Sequence, residues 1–191
     1  MSPLPSDDRR ALLQLARQAI LAAVTKQPVP AVPALSADPG PCGAFVSLHV
    51  GGRLRGCIGM IESAGALADT VVRCAAAAAM EDPRFEPVAT SEVPTLEIEV
   101  SVLSPMRAAR PDEVEPGTHG LRIRQGYASG LLLPQVATRY SWSRERFLEE
   151  TCHKAGLPPE AWREPDARIE IFTAEVFSET DFPAQKKMPA S

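Results

Sequence analysis

The feature that restricts this 191-residue chain most is a pair of adjacent glycines, Gly51-Gly52, set between two extended runs at 45–50 and 53–58. Glycine takes positive φ at no steric cost, so two of them between strand-like segments specify a tight β-hairpin. Counting outward from a two-residue turn pairs Val50 with Arg53, Leu48 with Arg55 and Val46 with Cys57. Alternation then puts Arg53, Arg55 and Cys57 on one face, and His49, opposite Leu54, on the other. Residues two apart on a strand are separated by roughly 6.5 to 7 Å, which brings the Arg55 guanidinium toward the Cys57 sulfur. A nearby cation favours the thiolate. Gly56 and Gly59 flank the cysteine, and glycine inside a strand marks a bulge or a close approach of ligand or backbone.

Around this hairpin the hydrophobic pattern predicts the remaining elements. Leu12, Ala16, Ala19, Ile20 and Ala23 recur at helical spacing behind Ser6-Asp7-Asp8, so a helix capped by Ser6 runs to about Val24. Five prolines between Pro28 and Pro41 exclude regular structure and predict a long surface loop. The run 67–80, with Val71, Val72, Cys74 and six alanines, predicts a helix buried over most of its circumference and stopped by Pro83. In 96–103, Ile98, Val100 and Val102 alternate with Glu97, Glu99 and Ser101, a strand whose polar face carries two carboxylates. A second hairpin is predicted at 120–124 and 131–133, with a longer turn holding Gly126 and Gly130. Trp142-Ser143 with Phe147 reads as a staple around an N-cap, opening a helix that stops at Gly156. A last strand is expected at 168–176, with a frayed segment from Thr180. The sum is an α+β chain with mainly antiparallel sheet: a helix at 1–27, a Pro-rich loop at 28–42, a core at 43–179 and a flexible tail at 180–191.

Composition removes several functions. Net charge is −4 and ten of 191 residues are aromatic, which leaves neither the electrostatic footprint nor the stacking platforms of a nucleic-acid binder. Cysteines at 42, 57, 74 and 152 match neither zinc spacing nor a disulfide framework, so they read as reduced thiols with no metal motif and no implied cofactor. The N-terminus lacks an apolar signal core, and Asp69 and Arg73 interrupt the most apolar window, 64–80. A cytoplasmic protein without a membrane segment is expected.

Cys57 admits two readings: an accessible thiol activated by Arg55, or a small core residue whose glycine neighbours make room for the alanine-rich helix. Glu97 and Glu99 either pair with Arg53 and Arg55 as a solvated charged face or orient a polar ligand with them. Arg84, in Asp82-Pro83-Arg84-Phe85, either binds an anion or caps the preceding helix. His49 falls on the hairpin face opposite Cys57 and His153 follows Cys152 on a helix whose stripe already includes that cysteine, so His119, in a loop before Gly120, is the general-base candidate by elimination. Gln135 either donates to a ligand or satisfies loop carbonyls.

The hexapeptide Leu54-Arg55-Gly56-Cys57-Ile58-Gly59 resembles the hallmark of the AMMECR domain family. The resemblance extends over roughly 43–177 through Glu81-Asp82-Pro83-Arg84-Phe85, Leu96-Glu97-Ile98-Glu99-Val100-Ser101-Val102-Leu103-Ser104-Pro105, His119-Gly120-Leu121, Leu131-Leu132-Leu133-Pro134-Gln135-Val136-Ala137 and Lys154-Ala155-Gly156-Leu157. It implies a two-lobed α+β domain with the hexapeptide near a groove between lobes. Microbial members of this kind, grouped as protein A of the AmmeMemoRadiSam system, imply Memo-like and radical S-adenosylmethionine proteins as partners. Two functions of different class follow. One is an enzyme or enzyme component in which Cys57 is nucleophile or covalent acceptor, Arg55 stabilises its thiolate, and Arg53, Arg84, Glu97, Glu99 and Gln135 position a small molecule. The other is a non-catalytic module that binds those partners.

Overall fold

A computed structural model of the chain describes residues 3–29, 35–37 and 39–182. In chain order the elements are α1 (Ser6–Thr25), β1 (Ala44–Val50), β2 (Arg53–Met60), α2 (Leu67–Met80), β3 (Glu97–Leu103), β4 (Arg107–Ala108), β5 (Gly120–Gln125), β6 (Ala128–Leu132), α3 (Pro134–Arg139), α4 (Arg144–Lys154), β7 (Arg168–Phe172) and β8 (Ala174–Ser178). The fold is α+β with two antiparallel sheets, ordered β2-β1-β3-β8 and β4-β7-β5-β6. The chain divides into two units, Met1–Val102 with Glu175–Ser191, and Leu103–Ala174.

In the first unit one face of the sheet is apolar and covered by helix. Val46 and Leu48 from β1, Ile98 and Val100 from β3, and Val71, Cys74, Ala75 and Ala78 from α2 share one buried core with Leu12, Ala16 and Ile20 of α1. The alanines let α2 lie hard against β2: a Cβ built on Gly56 would stand 2.2 Å from the Ala78 carbonyl oxygen. The N-terminal helix begins at the expected place, but Ser6 is its first helical residue and Pro5 occupies the cap position with no side-chain cap bond. Asp8 is the acidic residue with a structural role there. Its buried carboxylate accepts from the Ser36 and Ala37 backbone N–H groups and the Ser36 hydroxyl. The Ser36 backbone donor, first among these, holds Asp8 below the usual carboxylate range. This ties residues 36 and 37 of the Pro-rich segment to α1; residues 30–34 and 38 of that segment lie outside the described residues. Arg17 of α1 joins three segments, donating to Glu179 at 2.6 Å and to the Val93 and Leu96 carbonyls at 2.9 and 2.6 Å.

The second unit has its own core of Leu121, Ile123, Phe147, Leu148, Cys152 and Ile171. The α4 start matches expectation in detail: the Ser143 hydroxyl accepts from Arg146 N–H, Trp142 packs on Phe147 at 6.4 Å, and Gly156 takes φ 75° beyond the helix. The β5–β6 turn is tighter than predicted, two residues at Gly126 and Tyr127. Gly130 instead lies within β6, where a Cβ would stand 2.4 Å from the Ala155 nitrogen. The predicted last strand is two strands, and the chain changes sheets between them at Thr173. The tail expected from Thr180 begins in a short 3-10 turn at Glu179–Asp181, where Asp181 accepts from the Ser178 N–H; residues 183–191 lie outside the described residues.

Candidate functional site

The hairpin keeps the expected turn and loses the expected register. Val50 pairs with Arg53 and His49 with Leu54, but Leu48 then faces Gly56, Ser47 faces Cys57 and Val46 faces Ile58. Arg55 is the extra residue of a β-bulge, which shifts all later pairing by one. The shift reverses which residues share a face. Gly56 and Ile58 now lie on the core side with Leu48 and Val46, while Cys57 lies on the opposite face with Ser47 and His49.

Three expectations are corrected by this bulge. By register Arg53 shares the face of Val50, not that of Cys57, and it is exposed at the hairpin tip. His49, expected to face away from Cys57, is on its face. The Arg55 guanidinium is committed elsewhere: Nε and Nη2 donate to the two Glu92 oxygens at 2.9 and 3.0 Å, and Nη1 donates to the Glu86 carbonyl at 2.9 Å. Arg55 in turn is the main reason Glu92 sits below the ordinary carboxylate range. The alternative in which Arg53 and Arg55 pair with Glu97 and Glu99 also fails, because β1 stands between β2 and β3. Among the described residues neither Glu97 nor Glu99 forms an ion pair.

Across β2, β1 and β3 the register aligns Cys57, Ser47 and Glu99 in one row, with Leu54, His49 and Glu97 in a neighbouring row. The Ser47 hydroxyl donates to the Cys57 sulfur at 3.3 Å. Cys57 and Glu99 are two strand spacings apart, roughly 9.5 Å. None of the four cysteines forms a disulfide; Cys57 is half-buried whereas Cys42, Cys74 and Cys152 are buried. Burial pushes the Cys74 and Cys152 thiols up. The thiol on the open polar face is thus the one the hexapeptide carries, and its glycines have separate causes. Gly56 clears the α2 backbone, and Gly59 lies under the Phe45 ring, whose Cδ1 would be 2.1 Å from an added Cβ.

The cation nearest this cysteine comes from the Asp82-Pro83-Arg84 turn. β2 is the edge of its sheet, so the Cys57 N–H and C=O point away from β1 with no strand to meet them. The Asp82 carboxylate accepts the Cys57 N–H at 2.8 Å, and Arg84 Nη2 donates to the Cys57 carbonyl at 3.3 Å. Asp82 also accepts from Arg84 Nε and Nη2 at 2.9 and 2.7 Å, and Arg84, the largest cause, holds this carboxyl far below the usual range. Arg84 does not cap α2. Its own charge is favoured first by Asp82 and, further down, by the Cys57 side chain.

The other two candidates belong to the second unit. His119 Nδ1 accepts the Glu115 backbone N–H at 3.2 Å, and Gln135 is exposed in the first turn of α3. Neither is among the groups the first unit gathers around Cys57. Ser47 and Asp82 carry no functional reading in the sequence and the unbulged register puts His49 on the far face; Gly56, a glycine inside a strand, is the sequence signal of the bulge that brings Ser47 and His49 to the thiol's face. Among the described residues no group of three His, Cys, Asp or Glu side chains is arranged to hold a metal, and no helix is long and apolar enough to cross a membrane.

Comparison with known proteins places the chain. The AMMECR1 family model matches residues 13–177. A protein of Methanothermobacter thermautotrophicus is 40% identical over 191 residues, spanning 93% of this chain and 97% of the relative. A Thermococcus gammatolerans protein is 46% identical over 132 residues, spanning 66% of this chain and 64% of that relative, so just under two thirds of its length is matched. The crystal structure of an uncharacterized protein, PH0010, from Pyrococcus horikoshii superposes with a TM-score of 0.84 at 36% identity, covering 92% of this chain and 93% of that one. On the hexapeptide, the fold and these matches, the chain belongs to the AMMECR1 family.

Proposed function

We propose that this chain is a cytoplasmic, thiol-dependent enzyme or enzyme component, with Cys57 as nucleophile or covalent acceptor on the polar face of the first sheet. The observation that carries the reading is the row of Cys57, Ser47 and Glu99, with His49 one row away on the same face. A nucleophile needs a base within reach and a group that fixes its orientation. The Ser47 hydroxyl orients the sulfur, and His49, in the adjoining row of the neighbouring strand, is the proton acceptor, while Glu99 lies one strand further off. The test is site-resolved iodoacetamide labelling across pH, read by peptide mass spectrometry. Cys57 should label ahead of Cys42, Cys74 and Cys152 and ahead of its own rate in the unfolded chain. His49→Gln should slow it about a hundred-fold near neutral pH, the lower end of general-base effects. A Cys57 that labels no faster than in the unfolded chain removes the nucleophile.

A second reading, a partner-binding face for Memo-like and radical S-adenosylmethionine proteins, is favoured by Leu54, 41% exposed in the row of His49 and Glu97. It predicts that Cys57→Ser retains such partners in a pull-down and that Glu99→Lys loses them.

A further inference from the structure

We infer that the site accepts a substrate bearing an oxyanion, a carboxylate or phosphate, bound by Arg84 beside the Cys57 thiol. The inference rests on the thiol reading above and names the substrate class for it. Arg84 is an unusual surface arginine. Its side chain is 56% exposed, yet it is anchored by Asp82, whose side chain is 2% exposed. A guanidinium has five N–H donors. Nε and one Nη2 donor are taken by Asp82, and Nη2 also meets the Cys57 carbonyl at 3.3 Å. The two donors of Nη1 meet no protein oxygen among the described residues, and the guanidinium's remaining polar neighbour is the Cys57 side chain itself. The guanidinium lies 5.5 Å from the Phe85 ring, which together with Asp82 fixes its plane.

A buried carboxylate that pins an exposed cation does more than satisfy an edge strand: it holds the two outward donors of Nη1 in a fixed plane next to a thiol. Each is a charge-assisted donor of the kind that suits a carboxylate or phosphate oxygen. Because Asp82 balances the charge of Arg84, attraction is short-ranged and directional rather than a field effect. The opposite side of the face, carrying Glu97 and Glu99, repels anions, so an oxyanion-bearing molecule has one orientation, with its anionic end at the β2 edge and the remainder over β1.

The test compares two alkylating reagents of the same chemistry, anionic iodoacetate and neutral iodoacetamide, at Cys57. The iodoacetate-to-iodoacetamide rate ratio should exceed that of the same cysteine in the urea-unfolded chain by about five-fold, as expected for one partly exposed charged contact. Arg84→Gln should return the ratio to the unfolded value, and Arg84→Lys should retain part of it. A ratio equal to the unfolded value, or unchanged in a folded Arg84→Gln protein, overturns the inference while leaving the thiol reading intact. Inorganic phosphate titrated into the wild-type protein and followed by amide NMR gives a second readout, with shifts expected at Cys57, Arg84 and Phe85. Should Cys57 resist both reagents, the thiol reading falls and the phosphate shifts alone decide the oxyanion site: their presence upholds it and their absence ends it.

Discussion

One methyl group added at three glycines of the same hairpin should carry three different costs, because each glycine is there for a different reason. At Gly56 the new Cβ meets the Ala78 carbonyl oxygen at 2.2 Å and its carbon at 3.3 Å, both backbone atoms. Restoring a normal contact requires β2 and α2 to separate by roughly 1 Å. That separation loosens the packing of Val71, Cys74, Ala75 and Ala78 beneath the sheet. Gly56→Ala should therefore cost about 3 kcal/mol or more, the upper end of overpacking. At Gly59 the obstacle is the half-buried Phe45 ring, which can swing aside, so Gly59→Ala should cost about 1–2 kcal/mol. At Gly51 nothing lies within 4 Å and the objection is φ at 55°. The left-handed penalty of about 1–2 kcal/mol is partly offset by the stiffer unfolded chain. Both tryptophans lie in the second unit, so fluorescence would miss the event. Hydrogen exchange of β1 and β2 amides reads it directly. A Gly56→Ala protein whose β1 and β2 protection matches that of Gly51→Ala would refute the claim that close α2 packing is what requires glycine there.

Three further outcomes follow from the charges and thiols. Asp82→Ala strands the Cys57 N–H and Arg84 at the sheet edge and should cost about 2–4 kcal/mol in urea unfolding. The folded Asp82 carboxyl is depressed, so its contribution is complete above the unfolded value near 4 and declines as pH falls below it. The stability gap between wild type and Asp82→Asn should accordingly narrow from pH 5 to pH 3; a constant gap would contradict the pairing. Arg17→Met removes the ties from α1 to Glu179, Val93 and Leu96 and should cost about 2–4 kcal/mol, seen as faster exchange in β3; an unchanged β3 would reject its role as a junction. Ser47→Ala, which deletes the hydroxyl donor to the sulfur, should change Cys57 labelling and leave Cys74 and Cys152 slow; equal labelling before and after the substitution would show that the hydroxyl does not orient the thiol.

The elements set by strong local patterns were legible in the sequence. The glycine pair, the alternation of Ile98, Val100 and Val102, the alanine-rich run and the Ser143 cap each act within a few residues, and the structure has each where the pattern puts it. What was not legible depends on contacts between distant residues. The bulge at Arg55 is decided by Glu92 and the Glu86 carbonyl, which hold the arginine away from the ladder, and by α2 pressing on Gly56. A one-residue slip then reverses the face of every later residue, so the local pattern alone puts His49 on the far side from the thiol and Arg53 and Arg55 beside it. Arg84 was visible as a residue type, but its anchoring by a buried Asp82 is a tertiary fact. The switch of sheets at Thr173 left no mark in a run that reads as one strand.

The register that seats Cys57 opposite Ser47 underlies the proposed site, and a cross-strand disulfide tests it most directly. Ser47 and Cys57 form a pair without mutual ladder bonds, whose Cα separation of about 4.5 Å is within disulfide range. Under mild oxidation Ser47→Cys should crosslink to Cys57, identified by peptide mapping, while Val46→Cys should not. Crosslinking from position 46 and none from 47 would put His49 and Ser47 on the far face from the thiol and take the proposed site apart.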